Sequence, residues 1–228
     1  MSGESAGYSQ RYVIVVAVFV TCLIVANIMA VKLIGVFGLV FDAGTLIFPI
    51  SYIFGDVLTE VYGFRRARQV IWLGFLCNLL AVGVISLGLV LPAASFWEGQ
   101  AAYERILGYA PRLLAASFVA YLIGELANSF VLARMKVATN GRWLWSRTIG
   151  STVVGQGFDS LIFVLIAFYG TIPTSVLLSV ILTQWALKSA YEALATPFTY
   201  LVVGRLKRAE GVDHYDRDTS FNPLPTGR

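Results

Sequence analysis

Apolar residues along the chain gather into six long runs, at Tyr12–Leu33, Phe41–Tyr62, Val70–Leu91, Leu113–Ala133, Thr148–Tyr169 and Thr174–Val203. A helix needs about 20 mostly apolar residues to cross a bilayer, and each run reaches that length. The pattern predicts an all-α polytopic membrane protein with six transmembrane helices. Polar residues collect in short loops, in a head over 1–11 and in a tail over 205–228, leaving a single transmembrane domain over 12–204. Pro223 and Pro225 in that polar tail predict a disordered end. The first run could pass for a secretory signal. It is too long for one, and Asn27 and Lys32 close it without a small-residue cleavage site, so it reads as a retained helix.

Charges inside the runs change the picture from a generic bundle to one with an internal polar site. Asp56, Glu60, Glu125, Asp159, Lys188 and Glu192 all fall within predicted spans. A charged side chain at mid-bilayer costs at least ~2.5–3.5 kcal/mol, so it faces a bundle interior or a solute path.

The second run has the least ordinary sequence. Pro49 should kink a helix there, while Asp56 and Glu60, four apart, share one face. They line a pathway, carry a coupling proton, or bind the basic loop Arg65–Arg68. In the fourth run Glu125, Asn128 and Ser129 share a face, and Gly124 permits close helix approach. The fifth run sets Gln156, Asp159 and Ser160 together behind a glycine-rich face, with Gly157 a candidate unwinding point. The sixth places Gln184, Lys188 and Glu192 on one stripe flanked by Trp185 and Tyr191, with Pro197 a turn below. A self-neutralising Lys188–Glu192 pair is the bland alternative for that stripe.

Glu125, Asp159 and Lys188 lie near the midpoints of three successive antiparallel spans, which is the layout of a midplane solute site. Aromatics beside them suit a planar ring, and carboxylates accept paired N–H donors. The pattern favours a flat, donor-rich heterocycle over a sugar or a lipid. Candidate substrate-binding residues are therefore Glu125, Asn128, Gln156, Asp159, Gln184, Trp185, Lys188, Tyr191 and Glu192, with Asp56 and Glu60 assigned to pathway or coupling.

Composition agrees with a membrane protein: 57% hydrophobic and only 13% charged, against about 25% charged in soluble domains. The net charge of +4 comes from loops. Arg11, Arg65, Arg66, Arg68, Arg134, Lys136, Arg142 and Arg147, with the tail's basic residues, fall on one side, opposite Lys32, Arg105 and Arg112. By the positive-inside bias both termini are cytoplasmic, and nucleic acid is not needed to explain the charge. Cys22 and Cys77 lie in apolar runs and indicate no disulfide framework. The single histidine, His214, sits in the tail, which excludes a histidine-based triad within the membrane. No cofactor or metal site is expected.

The segments FPISYIFGDVLTEVYGFRRAR, ELANSFVLARMK and RTIGSTVVGQGFDSLIF, beginning at Phe48, Glu125 and Arg147, resemble the queuosine precursor transporters, also called the vitamin uptake transporter family. The resemblance covers about Tyr12–Leu206. It implies import of 7-cyano- or 7-aminomethyl-7-deazaguanine across the bacterial cytoplasmic (inner) membrane, and no enzymatic activity. It also implies a fold similar to the substrate-binding subunits of energy-coupling-factor transporters. Those subunits dock a coupling protein through an alanine-rich motif on the first helix, to which Ala26 and Ala30 correspond. Members of the family often act without that partner, so a coupling module is not expected. The small-residue faces could equally serve a homodimer.

Two rival functions have distinct signatures. A subunit dependent on an ATP-driven module needs that ATP site elsewhere, since no GxxxxGK[ST] loop occurs here. An intramembrane aspartyl protease would pair Asp56 with Asp159, but Phe158 interrupts the Gly-x-Gly-Asp pattern.

Overall fold

The computed structural model describes residues 9–29, 32–36, 39–108, 111–170 and 173–224. Its body is helical: α1 is Gln10–Met29, α2 Phe48–Val57, α3 Phe64–Val90, α4 Gln100–Leu107, α5 Pro111–Ala138, α6 Leu144–Phe168 and α7 Thr174–Glu210. Four of these, α1, α3, α5 and α6, are long and apolar enough to cross a membrane. The two remaining predicted crossings are the second and sixth runs, the ones richest in charge.

The second run is not one continuous helix. Strands β1 (Leu33–Val36) and β2 (Leu39–Asp42) form an antiparallel hairpin, a 3-10 turn follows over Ala43–Leu46, and only then does α2 begin. Pro49 therefore starts a helix instead of kinking one, because proline in the first turn sacrifices no intrahelical hydrogen bond. A π-helical turn, Leu58–Tyr62, continues α2 and ends at Gly63. Gly63 has φ of +86°, and a Cβ there would stand 2.2 Å from the His214 ring, so this joint demands glycine twice over.

Pro197 does not break α7 either. The missing Pro197 N–H frees the Ala193 carbonyl, and beside it the hydroxyls of Thr196 and Thr199 donate to the Glu192 and Ala195 carbonyls. Helix α6 likewise runs unbroken through Gly157, where the Trp185 indole packs.

Helices α5 and α6 make the closest pair. The Gly124 carbonyl lies 2.9 Å from where a Gly155 Cβ would be, and the Gly155 carbonyl 3.0 Å from a Gly124 Cβ. This reciprocal contact is the small-residue packing expected of membrane helices. The apolar core joins Phe19 and Leu23 of α1 to Val57 of α2, Ile71 of α3, Tyr121 of α5 and Val203 of α7. Ala26 is fully buried in α1, so it packs inside the chain and offers no docking surface; Ala30 lies outside the described residues.

The tail, expected to be disordered, folds back on the bundle. Asp216 accepts the Phe64 backbone N–H at 2.9 Å, capping α3. Phe221 packs on Phe64 and Phe130, and the Trp72 indole donates to the Pro223 carbonyl at 2.9 Å. Cys22 and Cys77 are free.

Candidate functional site

Four helices bring buried polar groups to one region. From α2 come Tyr52 and Asp56, which are one turn apart and 7% and 1% exposed. Asp56 accepts a hydrogen bond from Asn128 Nδ2 of α5 at 2.8 Å. Glu125, a turn away on α5, is 1% exposed and presses against Gly55, whose missing Cβ would lie 2.1 Å from its Oε1. From α6 come Gln156 and Asp159, and from α7 Lys188 and Glu192. Glu192 sits beside Thr152 and Gln156, while Tyr52 stands among Glu125, Asp159, Glu192 and Gln156.

Lys188 pairs with Asp159, Nζ to Oδ2 at 2.5 Å. The bond crosses from α7 to α6, so the self-neutralising pair with Glu192 does not form. Several buried acceptors are left over. Glu125 Oε1, Asn128 Oδ1, Gln156 Oε1 and Glu192 Oε1 find no hydrogen-bond donor. The Thr152 and Ser160 hydroxyls of α6 are unpartnered as well; buried polar atoms are satisfied in the great majority of cases, so this concentration marks a polar site whose unpartnered acceptors outnumber its unpartnered hydroxyls. Among the described residues no three His, Cys, Asp or Glu side chains are grouped to hold a metal ion.

Other candidates have different surroundings. The Trp185 indole donates to the Val153 carbonyl at 2.8 Å, tethering α7 to α6. Gln184 is half-buried, and Tyr191 is 43% exposed on the bundle's outer surface. Tyr52, four residues before Asp56, and Thr152, four before Gln156, share the faces of those site residues, a signal carried by helical spacing and not by charge.

Glu60 belongs to a second network. It is fully buried and takes a two-pronged contact from Arg147, both bonds at 2.8 Å. Lys207 donates to it at 2.6 Å, and the Lys136 ammonium lies 3.5 Å away. Its partners are therefore on α5, α6 and α7, and the loop Arg65–Arg68 is not among them. Asp56 and Glu60, four residues apart, therefore bond to separate sets of partners.

Asp213 of the tail completes this clasp, bonding Lys136 at 2.6 Å and Lys207 at 2.8 Å. Partial burial works against its charge, but the two lysines outweigh that and hold its pKa below the ordinary carboxylate value. Burial also opposes the Lys207 charge, and Glu60 with Asp213 more than compensates, raising its pKa.

Asp56 is held by Asn128 and Asp159 by Lys188, an arrangement unlike two aspartates sharing a proton. A cavity of about 390 Å³ lies away from the carboxylates, between the start of α3 and the tail.

Residues 42–202 match the profile of a family described as "Putative vitamin uptake transporter". A Bacillus subtilis (strain 168) protein named "Probable queuosine precursor transporter" is 33% identical over 176 residues, which is 77% of each chain. An Escherichia coli (strain K12) "Queuosine precursor transporter" is 30% identical over 126 residues, 55% of this chain and 54% of that one. No solved structure matches.

Proposed function

The chain belongs to the vitamin uptake transporter family, and on that footing we propose that it carries a 7-deazaguanine precursor of queuosine across the bacterial inner membrane through the polar site between α2, α5, α6 and α7. The relatives named as queuosine precursor transporters support the substrate class. The observation that carries the reading is the surplus of acceptors: Glu125, Gln156 and Glu192 each keep a buried oxygen without a donor.

A deazaguanine presents a ring N–H and an exocyclic amine side by side, the donor pair a carboxylate takes in two parallel bonds. Glu125 reads that edge in this reading. Gln156, whose amide also has donors, reaches the ring carbonyl, and Glu192 takes a further N–H or the aminomethyl cation. The Lys188–Asp159 pair sets the local charge, and Asp56 lines the exit or carries a coupling proton. Segment α2 with its π turn, and α7, complete six crossings with both termini on the arginine-rich cytoplasmic side.

Binding of aminomethyl- and cyano-deazaguanine to the purified protein, with guanine for comparison, tests this. Glu125→Gln should weaken binding roughly 10- to 150-fold, the worth of hydrogen bonds to a charged group, without unfolding the protein. Unchanged affinity in that variant would remove Glu125 from the site.

A further inference from the structure

The cavity at the start of α3 has a chemistry of its own. Its walls include Arg65, Arg66 and Arg68 from the first turn of α3, together with Thr219 and Ser220 from the tail. Asp218 is the acidic residue on that lining, so positive charge prevails. Two of the guanidinium groups are set in place by aromatic rings: Arg66 lies 5.7 Å from the Tyr12 ring and 6.0 Å from Tyr62, and Arg68 5.8 Å from Phe64. The volume, about 390 Å³, lies within the roughly 300–1,000 Å³ of small-ligand pockets and exceeds what a bare ion needs.

The level of the cavity matters as much. Leu73, Leu76 and Leu80 of α3 are exposed apolar residues on one of the four membrane-length helices. Arg66 precedes Leu73 by seven residues, about 10 Å along the helix axis. That distance puts the guanidinium groups beside lipid headgroups when the leucines meet the acyl chains. Arginine forks match phosphate oxygens in paired hydrogen bonds, and basic pockets at this depth suit anionic headgroups.

We propose that this cavity is a phosphate-binding site, occupied by the phosphate of an anionic glycerophospholipid whose acyl chains run along α3. It is separate from the carboxylate site and independent of the transported solute.

The test is native mass spectrometry of the purified protein with phosphatidylglycerol or phosphatidylcholine, repeated with inorganic phosphate and glycerol phosphate as competitors. The expected result is preferential retention of phosphatidylglycerol by the wild type, reduced about fivefold for each arginine lost in Arg65→Gln and Arg66→Gln. Arg105→Gln, outside the cavity, should retain lipid normally. Protection by glycerol phosphate alone, lost in the same variants, would assign the site to a soluble phosphate ester and uphold the chemistry. Equal retention of the two lipids by the wild type, or undiminished retention by stable Arg65→Gln and Arg66→Gln proteins, would overturn it.

Discussion

Replacing Glu60 by Gln isolates the clasp that joins α5, α6, α7 and the tail. The substitution keeps the side chain's size and removes its charge. Arg147 suffers most, being 2% exposed, losing the charge on both oxygens it grips at 2.8 Å, and keeping, among the described residues, the Arg142 carbonyl as its further bonded partner. Lys136 and Lys207 both retain Asp213. Breaking a buried pair by removing one partner costs about 3–5 kcal/mol, and this geometry belongs at the lower end because two of three cations keep a carboxylate. In a chain of this size each kcal/mol moves the melting temperature about 2–4 °C, so a fall of roughly 6–12 °C is expected. Thermal unfolding in a fixed detergent measures it. Converting the partner as well, in Glu60→Gln with Arg147→Met, should recover at least half of the loss, since a buried pair replaced by apolar volume is often neutral. A single variant within about 1 °C of wild type, or a double variant no better than the single, would refute the account of a coupled buried pair.

Other perturbations probe separate features. Asp213 has a folded pKa below its unfolded value, so its contribution is complete above about pH 4 and disappears as pH falls through the folded value. Lys207 has a raised folded pKa, so its contribution is present below about pH 10 and lost on further alkalinisation. Burial shifts the neighbouring Lys136 the other way, so the acid side gives the clean readout: limited proteolysis of residues 211–224 should be flat from about pH 5 to 8 and accelerate below about pH 4, whereas acceleration near pH 6–7 would contradict the assignment. Gly155→Val drives a Cβ to within 2.7 Å of Asn128 Cβ and should destabilise by about 1–3 kcal/mol, read by the same melts, while Gly204→Val, with open space around it, should not. Lys188→Met leaves Asp159 without its cation, so the cationic aminomethyl form should gain affinity relative to the neutral cyano form. An unchanged ratio of the two affinities would show that the pair does not set the site's charge.

The charged positions were legible because a buried charge in an apolar run has few innocent explanations. Glu125 and Asp159 followed from that, and helical spacing brought Gln156 and Asn128 with them. The α5–α6 contact was equally readable in Gly124 and Gly155, since small residues at a helix face have a direct steric consequence. Partner choice was harder. Sequence spacing put Lys188 next to Glu192 on one stripe, yet it bonds Asp159 across the helix pair, a relation that depends on how α6 and α7 are rotated. Hydropathy also could not tell a spanning helix from a hairpin, a 3-10 turn and a short helix in succession, because all are apolar; Pro49 at a helix start was the available clue. The tail's order rests on isolated anchors such as Asp216 and Phe221, which no periodic pattern announces. Tyr52 carries no charge to single it out, and an aromatic in an apolar run is unremarkable until its neighbours are known.

The Glu60 clasp has a consequence for the order in which the protein is made. Glu60 emerges from the ribosome well ahead of its counter-charges: Lys136 follows 76 residues later, Arg147 after 87 and Lys207 after 147. At about 5–20 residues per second, the last of them arrives some 7–30 s after Glu60. Until Lys136 and Arg147 arrive the carboxylate must stay hydrated, protonated or shielded by the insertion machinery, so the short π-turned segment that carries it settles only after α5 and the start of α6 have been synthesised. A nascent chain stalled before Arg147 should leave Val61→Cys, with Glu60 intact, open to aqueous thiol reagents, and the completed chain should close it.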